Sequence, residues 1–115
     1  MRPQRLRGRR PWDVRTKVWL EGKDGYVFGY GVARILEQVE KSGALTAAAR
    51  ALGRSYRYVW RRVRECERSL GRKLVYSRVG GHGASRSRLS PYANRLLQDY
   101  LDLRHAVQQY ARRKF

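Results

Sequence analysis

The sequence predicts a mainly α-helical domain with a small β component, an α+β fold. Four segments carry apolar residues at helical spacing, and two pairs of short β-type runs flank turns that contain glycine. Serine or glycine stands at most of the boundaries between these segments, where helix caps and turns are expected. A chain of 115 residues suffices for one domain with one modest core.

The first 15 residues hold six arginines and two prolines and show no apolar period, which predicts a flexible basic arm. Two interpretations of this arm stay open. It adds only solubility, or it lies along phosphates or enters a minor groove of nucleic acid. We expect the folded domain over residues 16–90 and a C-terminal helix over residues 91–115.

A β-hairpin and a helix follow the arm. Val18 and Leu20 alternate with Lys17, Trp19 and Glu21, which is typical of a strand. "GKDG" at 22–25 is a turn signal, and "YVFG" after it is a second β-type run. From Gly31, apolar residues at i, i+3, i+4 and i+7 predict an amphipathic helix that ends at Gly43; they are Val32, Ile35, Leu36 and Val39.

Two further helices are predicted close together. "ALTAAARALG" at 44–53 forms a short helix, and Ser55 caps the next one, which runs to about Leu70. Two helices joined by a short turn that contains glycine predict a helix-turn-helix. The small side chains of Ala48 and Ala49 allow the second helix to approach closely.

A second hairpin follows directly, with strands at Leu74–Arg78 and Ser87–Leu89 around "VGGHGAS". A helix-turn-helix followed by a hairpin is a winged helix-turn-helix, with the hairpin as the wing. The glycines also suit a nucleotide phosphate, but the GxxxxGK[ST] spacing is absent and we do not expect that function.

Ser90 and Pro91 begin the last helix, which is predicted to reach about Arg112. Its residues at spacings 4, 3, 4 and 3 are Leu96, Tyr100, Leu103, Val107 and Tyr110. Ala93, Leu97 and Leu101 form an adjoining stripe. Either one wide stripe covers the core, or one stripe packs on the domain and the heptad seam meets a second chain. We favour the second arrangement, a homodimer with the five seam residues in its interface.

The helix from Ser55 divides into two faces. Val59, Val63, Cys66 and Leu70 form the face expected to be buried, whereas Arg57, Trp60, Arg61 and Arg64 share another face. The second face is either a solvated basic surface or a surface that contacts bases, since a major groove admits one helix and arginine pairs with guanine.

The net charge of +18, from 27 basic and 9 acidic residues, indicates a polyanionic partner. We therefore predict that double-stranded DNA contacts the second face, its flanking turn and the wing. The predicted contact residues are Thr46, Arg54, Ser55, Tyr56, Arg57, Trp60, Arg61, Arg64, Arg78, His82, Ser85, Arg86 and Arg88. No run of about eighteen apolar residues and no signal-peptide pattern is present, so we expect no membrane partner and a cytoplasmic, nucleoid-associated protein.

No group of residues indicates an enzyme or a metal site. His82 and His105 lack a matched cysteine or carboxylate spacing, and Glu65 and Glu67 point away from each other on their helix. Cys66 is the single cysteine, which excludes an intrachain disulfide. We expect neither catalytic residues nor a cofactor.

Residues 17–105 resemble the N-terminal DNA-binding domain of molybdate-responsive regulators of the ModE type, and the helix-turn-helix also resembles that of LysR-type regulators. The resemblance lies in "SGALTAAARALG", "SYRYVWRRVRECERSLG" and "GGHGASRSRLSPYANRLL". It implies a dimeric winged helix-turn-helix that binds operator DNA and regulates transcription, with contacts from Ser55, Tyr56, Arg57, Trp60, Arg61 and His82.

Two departures from that family matter. The chain ends at Phe115 without the family's molybdate-binding domains, so molybdate binding is not expected. The wing also holds His82, Ala84 and Ser85 among its glycines. Two other functions remain open beside a sequence-specific regulator of transcription: an architectural chromatin protein with little sequence preference, and an RNA-binding module.

Overall fold

A computed structural model describes residues 10–79 and 85–115 of the chain. The order of its elements is that of a winged helix-turn-helix with an N-terminal hairpin and a long last helix, as predicted. The elements are β1 (Trp19–Gly22), β2 (Gly25–Gly29), α1 (Tyr30–Ser42), α2 (Leu45–Leu52), α3 (Tyr56–Leu70), β3 (Val75–Val79), β4 (Ser85–Leu89) and α4 (Pro91–Lys114).

The first hairpin pairs β1 with β2 in antiparallel fashion around Lys23 and Asp24, which confirms the turn predicted at "GKDG". Leu20 faces Phe28, and the register shifts between Leu20 and Glu21. Phe28 is fully buried, so the end of β2 leads the chain directly into the core.

Helices α1 and α2 bury the predicted faces. α1 begins one residue before the predicted Gly31 and ends at Ser42. Gly43 caps it as predicted, with a φ of 74° in the left-handed region that favours glycine. On α2, Ala48 and Ala49 are both buried. Neither side chain extends beyond Cβ, and α3 packs directly against α2.

Helix α3 is fixed at its start and along one side. The Ser55 hydroxyl accepts a hydrogen bond of 3.1 Å from the backbone N–H of Tyr58, which confirms the predicted cap. Val59, Val63 and Cys66 are buried, and the Cys66 thiol donates to the carbonyl of Val27 at 2.9 Å. Burial raises the pKa of this thiol to about 12, so Cys66 stays protonated and acts as a small buried side chain.

The wing, formed by β3 and β4, is an antiparallel hairpin whose strands begin or end within two residues of the predicted limits. The backbone N–H of Ser87 donates to the carbonyl of Gly43 at 2.8 Å. This bond attaches the middle of β4 to the connection between α1 and α2.

Helix α4 begins at the predicted cap, where the Ser90 hydroxyl accepts from the backbone N–H of Ala93 at 3.0 Å. The position of Tyr100 corrects the sequence-based interpretation. We expected Tyr100 to face a second chain, but it is only 2% exposed within its own domain. Its ring meets Phe28 edge to face at 5.2 Å, and its hydroxyl donates to the carbonyl of Val18 at 2.8 Å.

Residues 10–16 lie along the C-terminal end of α4, although we expected residues 10–15 to belong to a flexible arm. Asp13 pairs with Arg112 at 2.6 Å, and this guanidinium lowers the pKa of the Asp13 carboxyl. The Gln108 side chain bonds both Val14 and Thr16. Residues 1–9 of the predicted arm lie outside the described residues.

Neither a membrane span nor a metal centre occurs in the described ranges. Within residues 10–79 and 85–115, no helix is long and apolar enough to cross a membrane. The same ranges hold no cluster of three histidine, cysteine or acidic side chains that could bind a metal ion.

Candidate nucleic-acid interface

The N-terminal half of α3 presents a basic and aromatic surface. Arg57, Trp60 and Arg61 recur at helical spacing on its exposed side, and Tyr56 is exposed beside them. They are exposed because Val59 and Val63, on the opposite side, are fully buried in the core. The structure thus brings together four of the predicted contact residues on one accessible surface.

Arg61 and Arg64, both predicted on this surface, differ in their freedom to move. Arg61 lies 3.7 Å from Glu65, and its side chain is 58% exposed, so this ion pair is weak and readily exchanged. Arg64 is only 18% exposed and donates to the Glu67 carboxylate at 2.5 Å. Arg64 therefore has a partner within the domain, whereas Arg61 is available to a ligand.

Glu67 was missed as a significant residue by the sequence analysis. Its carboxylate accepts hydrogen bonds from the backbone N–H groups of Leu74 and Val75 at 2.8 and 3.1 Å. Burial acts to raise its pKa, but the hydrogen bonds from Leu74, Arg64 and Val75 outweigh burial and lower the pKa. One signal was present: an acidic residue near a helix C-terminus opposes the helix dipole and calls for specific partners.

The turn before α3 carries two of the predicted contact residues. The guanidinium of Arg54 lies 4.8 Å from the ring centre of Tyr58. It is held over this ring while remaining exposed. Ser55 uses its hydroxyl oxygen to cap α3, and the hydroxyl proton remains available to an anion. Thr46 is exposed in the first turn of α2.

The wing adds a second basic surface. Arg78 stands directly opposite Arg86 across the hairpin, and Arg88 lies over the ring of Tyr76 at 5.1 Å. All three arginines are exposed, and with Ser77 and Ser87 they line a groove of about 570 Å³. Like charges directly opposite each other destabilise a hairpin unless an anion lies between them. His82 and the side chain of Ser85 lie outside the described residues.

The five residues of the predicted dimer seam separate into two groups. Tyr100 is buried in the domain, and Leu96 is partly buried against the core. By contrast, Leu103 and Tyr110 are 45% and 56% exposed, and Val107 between them is partly exposed. The C-terminal half of α4 therefore retains an apolar strip that the domain does not cover.

Comparison with known proteins places this geometry in a family. Residues 32–93 match the family described as "Bacterial regulatory helix-turn-helix protein, lysR family". The chain is also similar to two proteins named transcriptional regulator ModE. It is 31% identical to that of Yersinia pestis over 77 residues and 31% identical to that of Haemophilus influenzae over 78 residues.

These matches cover 67% and 68% of this chain, and the chain spans only 29% and 30% of the length of the two curated relatives. Among solved structures, the fold is similar to that of the CbnR DNA-binding domain in a DNA complex. The TM-score is 0.58 with 20% identity, over 73% of this chain and 91% of that chain.

The BenM DNA-binding domain in complex with catB site 1 DNA gives a TM-score of 0.56 with 21% identity, over 70% of this chain and 84% of that chain. At these identities the two structures support the fold alone.

Proposed function

The chain belongs to the lysR family of bacterial regulatory helix-turn-helix proteins, and from this premise we propose that it is a sequence-specific regulator of transcription. It binds double-stranded DNA as a homodimer, and this activity places it in the cytoplasm with the bacterial chromosome. The two curated relatives are named transcriptional regulators, and the structures of similar fold are DNA complexes, which supports the proposal.

The exposed surface of α3 is the observation that carries this proposal. Arginine donates two parallel hydrogen bonds to the O6 and N7 atoms of guanine, and the first turns of a helix in the major groove come nearest to the bases. Arg57 and Arg61 lie in those first turns and are exposed. Trp60 between them offers an apolar ring to sugars and thymine methyl groups. We therefore assign base contacts to Arg57 and Arg61.

The residues around α3 serve the phosphate backbone in this proposal. Backbone N–H groups at the start of a helix carry partial positive charge and favour a phosphate. Ser55, Tyr56 and Arg54 surround the start of α3, and Thr46 lies near the start of α2. Such contacts fix the register of a protein on the duplex without conveying sequence.

The wing holds the flanking backbone or the adjacent minor groove. Arg78, Arg86 and Arg88 supply positive charge there, and a phosphate between Arg78 and Arg86 would relieve the repulsion of the opposed pair. His82 and Ser85 belong to the same proposed contact set. Arg64 stays in the proposal as a phosphate contact, since its bond to Glu67 leaves other guanidinium N–H groups free.

The homodimer is proposed through the C-terminal half of α4. Leu103, Val107 and Tyr110 follow spacings of 4 and 3, which place side chains on one side of a helix that packs against another helix. Leu96 extends this strip from the margin of the core. Two copies joined in this way would present two α3 helices to two half-sites of one operator.

Competition binding tests the proposal. A preferred duplex is selected from a random pool with the full chain, and its affinity is compared with that of a shuffled duplex at one fixed salt concentration. We expect Arg57→Ala and Arg61→Ala each to reduce the difference in binding free energy by about 1–3 kcal/mol. Arg113→Ala, an exposed arginine of α4 outside the interface, should leave the difference unchanged.

Two outcomes contradict the proposal. If the unchanged chain binds the preferred and shuffled duplexes equally, an architectural role is correct, and the net charge of +18 already favours that alternative. Occupancy along the chromosome would then be dense rather than confined to a few sites. If both alanine variants weaken both duplexes equally, α3 contacts only phosphates. Structured RNA that competes better than duplex DNA would instead support the RNA-binding alternative.

A further inference from the structure

A cavity of about 580 Å³ lies among residues 15–19, the β1–β2 hairpin, the start of α1 and α4. None of the residues assigned above to DNA contacts lines it. Its volume falls within the range of about 300–1,000 Å³ that is usual for small-molecule sites. The cavity therefore needs an explanation separate from the DNA interface.

Three aromatic side chains line this cavity. Trp19, Tyr26 and Tyr30 are between 42% and 50% exposed, although each could bury a large apolar area. An isolated exposed aromatic residue needs no explanation, but three around one cavity indicate a surface that a ligand covers. The rings of Trp19 and Tyr26 suit a ligand that is itself a flat ring.

Basic side chains complete the lining. Arg15, Lys17 and Arg104 all border the cavity, whereas none of its lining residues in the described ranges is acidic. The nearby Glu21 carboxylate accepts a hydrogen bond of 2.9 Å from the indole N–H of Trp19. Arg104 is half-buried, and its guanidinium lies 3.7 Å from the ring centre of Tyr30. A guanidinium held over a ring in this way presents its N–H donors in a fixed direction.

Gly29 explains how Tyr26 reaches this position. The φ of Gly29 is −158°, which is extended backbone that any residue adopts, so its backbone does not require glycine. A Cβ atom there, however, would lie 2.5 Å from the hydroxyl oxygen of Tyr26. The missing side chain leaves the space in which the Tyr26 ring lies, and thereby shapes one wall of the cavity.

We propose that this cavity binds a small organic anion that carries a flat ring. Its ring lies against the aromatic side chains, and its anionic group is held by Arg104, Arg15 and Lys17. The anionic group is a carboxylate or a phosphate, since guanidinium and ammonium groups bind both. This site shares no residue with the proposed DNA interface, so an experiment can contradict one of the two proposals and leave the other intact.

Calorimetric titration of the full chain at physiological salt tests the site with four probes. Indole-3-acetate and adenosine monophosphate carry a ring with a carboxylate or a phosphate. Inorganic phosphate lacks the ring, and adenosine lacks the charge. We expect one ring-bearing anion to bind with one site per chain and a Kd below about 1 mM. Inorganic phosphate and adenosine should each bind at least about tenfold more weakly than that anion. Saturation by neither ring-bearing anion, or equal binding of inorganic phosphate, overturns the proposal.

Matched variants separate the cavity from the general positive charge of the chain. Arg104→Gln and Lys17→Gln should each weaken the bound probe by about tenfold, whereas Arg113→Gln, with the same change of charge on the exposed end of α4, should not. Gly29→Ala, which displaces Tyr26, should also weaken it. Thermal melting confirms that each variant is folded. Equal weakening by Arg104→Gln and Arg113→Gln overturns the site.

A duplex competitor distinguishes the cavity from an extension of the DNA surface. The preferred duplex, added at saturation, should leave the probe bound to the cavity. Stoichiometric displacement of the probe by the duplex overturns the proposal, because the cavity would then belong to the nucleic-acid surface. Retained duplex binding in Arg104→Gln and Lys17→Gln shows that the two sites are separate.

Discussion

The carboxylate of Glu67 accepts a hydrogen bond of 2.8 Å from the backbone N–H of Leu74, and this bond joins the last turn of α3 to the start of the wing. The same oxygen atom accepts from Val75 at 3.1 Å, and the other oxygen atom accepts from Arg64. Charged acceptors with several donors make strong hydrogen bonds. Glu67 therefore fixes the wing relative to α3.

Glu67→Gln should destabilise the folded chain. The Glu67 carboxylate accepts hydrogen bonds from three donors through both of its oxygen atoms. An amide has one oxygen and an NH2 group that cannot accept, so at least one of these donors loses its acceptor. We expect the free energy of unfolding to fall by about 1–3 kcal/mol, measured by urea denaturation. Glu65→Gln is the matched control, since Glu65 is exposed and should change this free energy by less than about 0.5 kcal/mol. Equal losses in the two variants would contradict the role of Glu67.

The free energy of unfolding should depend on pH differently in the unchanged chain and in Glu67→Gln. The pKa of Glu67 is lowered from an ordinary value of 4.5, so folding favours its charged form. Its contribution is fully present above pH 4.5 and is lost as the pH falls below that value and through the folded-state pKa. The difference in unfolding free energy between the unchanged chain and Glu67→Gln should therefore shrink on acidification. A difference that stays constant down to the acid transition would contradict the lowered pKa.

Arg78→Gln should alter DNA binding without altering sequence preference. A phosphate contact contributes equally to preferred and shuffled duplexes, so both affinities should fall by the same factor. The slope of log K against log salt should decrease in magnitude by about 0.9. The unfolding free energy should not fall, because the substitution removes the repulsion between Arg78 and Arg86. A salt slope identical to that of the unchanged chain would place Arg78 outside the interface.

Substitutions in α4 should separate folding from dimerisation. Tyr100→Phe removes the hydrogen bond to Val18 and should lower the unfolding free energy by about 0.5–1.5 kcal/mol, with no change in dimer dissociation. Leu103→Ala and Tyr110→Ala remove exposed apolar groups and should weaken the dimer by about tenfold or more. Urea denaturation measures the free energy of unfolding, and analytical ultracentrifugation measures dimer dissociation. If Tyr100→Phe weakens the dimer as much as Leu103→Ala, the proposed interface is wrong.

Local sequence patterns predicted the helices and strands because capping serines and glycines mark their ends. Ser55 and Ser90 cap helices as expected, and the glycine at 43 takes the backbone conformation that favours it. The buried face of α3 followed from spacing, since a helix places Val59, Val63 and Cys66 on one side; Leu70, predicted on the same face, is only partly buried. Arg57, Trp60 and Arg61 are exposed for the same reason, whereas Arg64, predicted on the same face, bonds Glu67 and is only 18% exposed.

Contacts between distant segments could not be read from such patterns. Tyr100 belongs to a regular seam, but its burial depends on Phe28 and Val18, which lie far away in the sequence. Asp13 and Arg112 are equally remote, so nothing local indicated that residues 10–16 would lie along α4. Two of the partners of Glu67 are the backbone N–H groups of Leu74 and Val75, and the sequence does not distinguish one backbone group from another.

The hydrogen bond from Ser87 to Gly43 affects the entropy change when the domain binds a duplex. It attaches β4 to the rest of the domain, whereas the bonds made by Glu67 attach the start of β3. Both strands of the wing are thus bonded to the rest of the domain in the free protein. The conformational entropy of positioning the described parts of the two strands relative to α3 is therefore lost during folding and does not oppose the binding of a duplex.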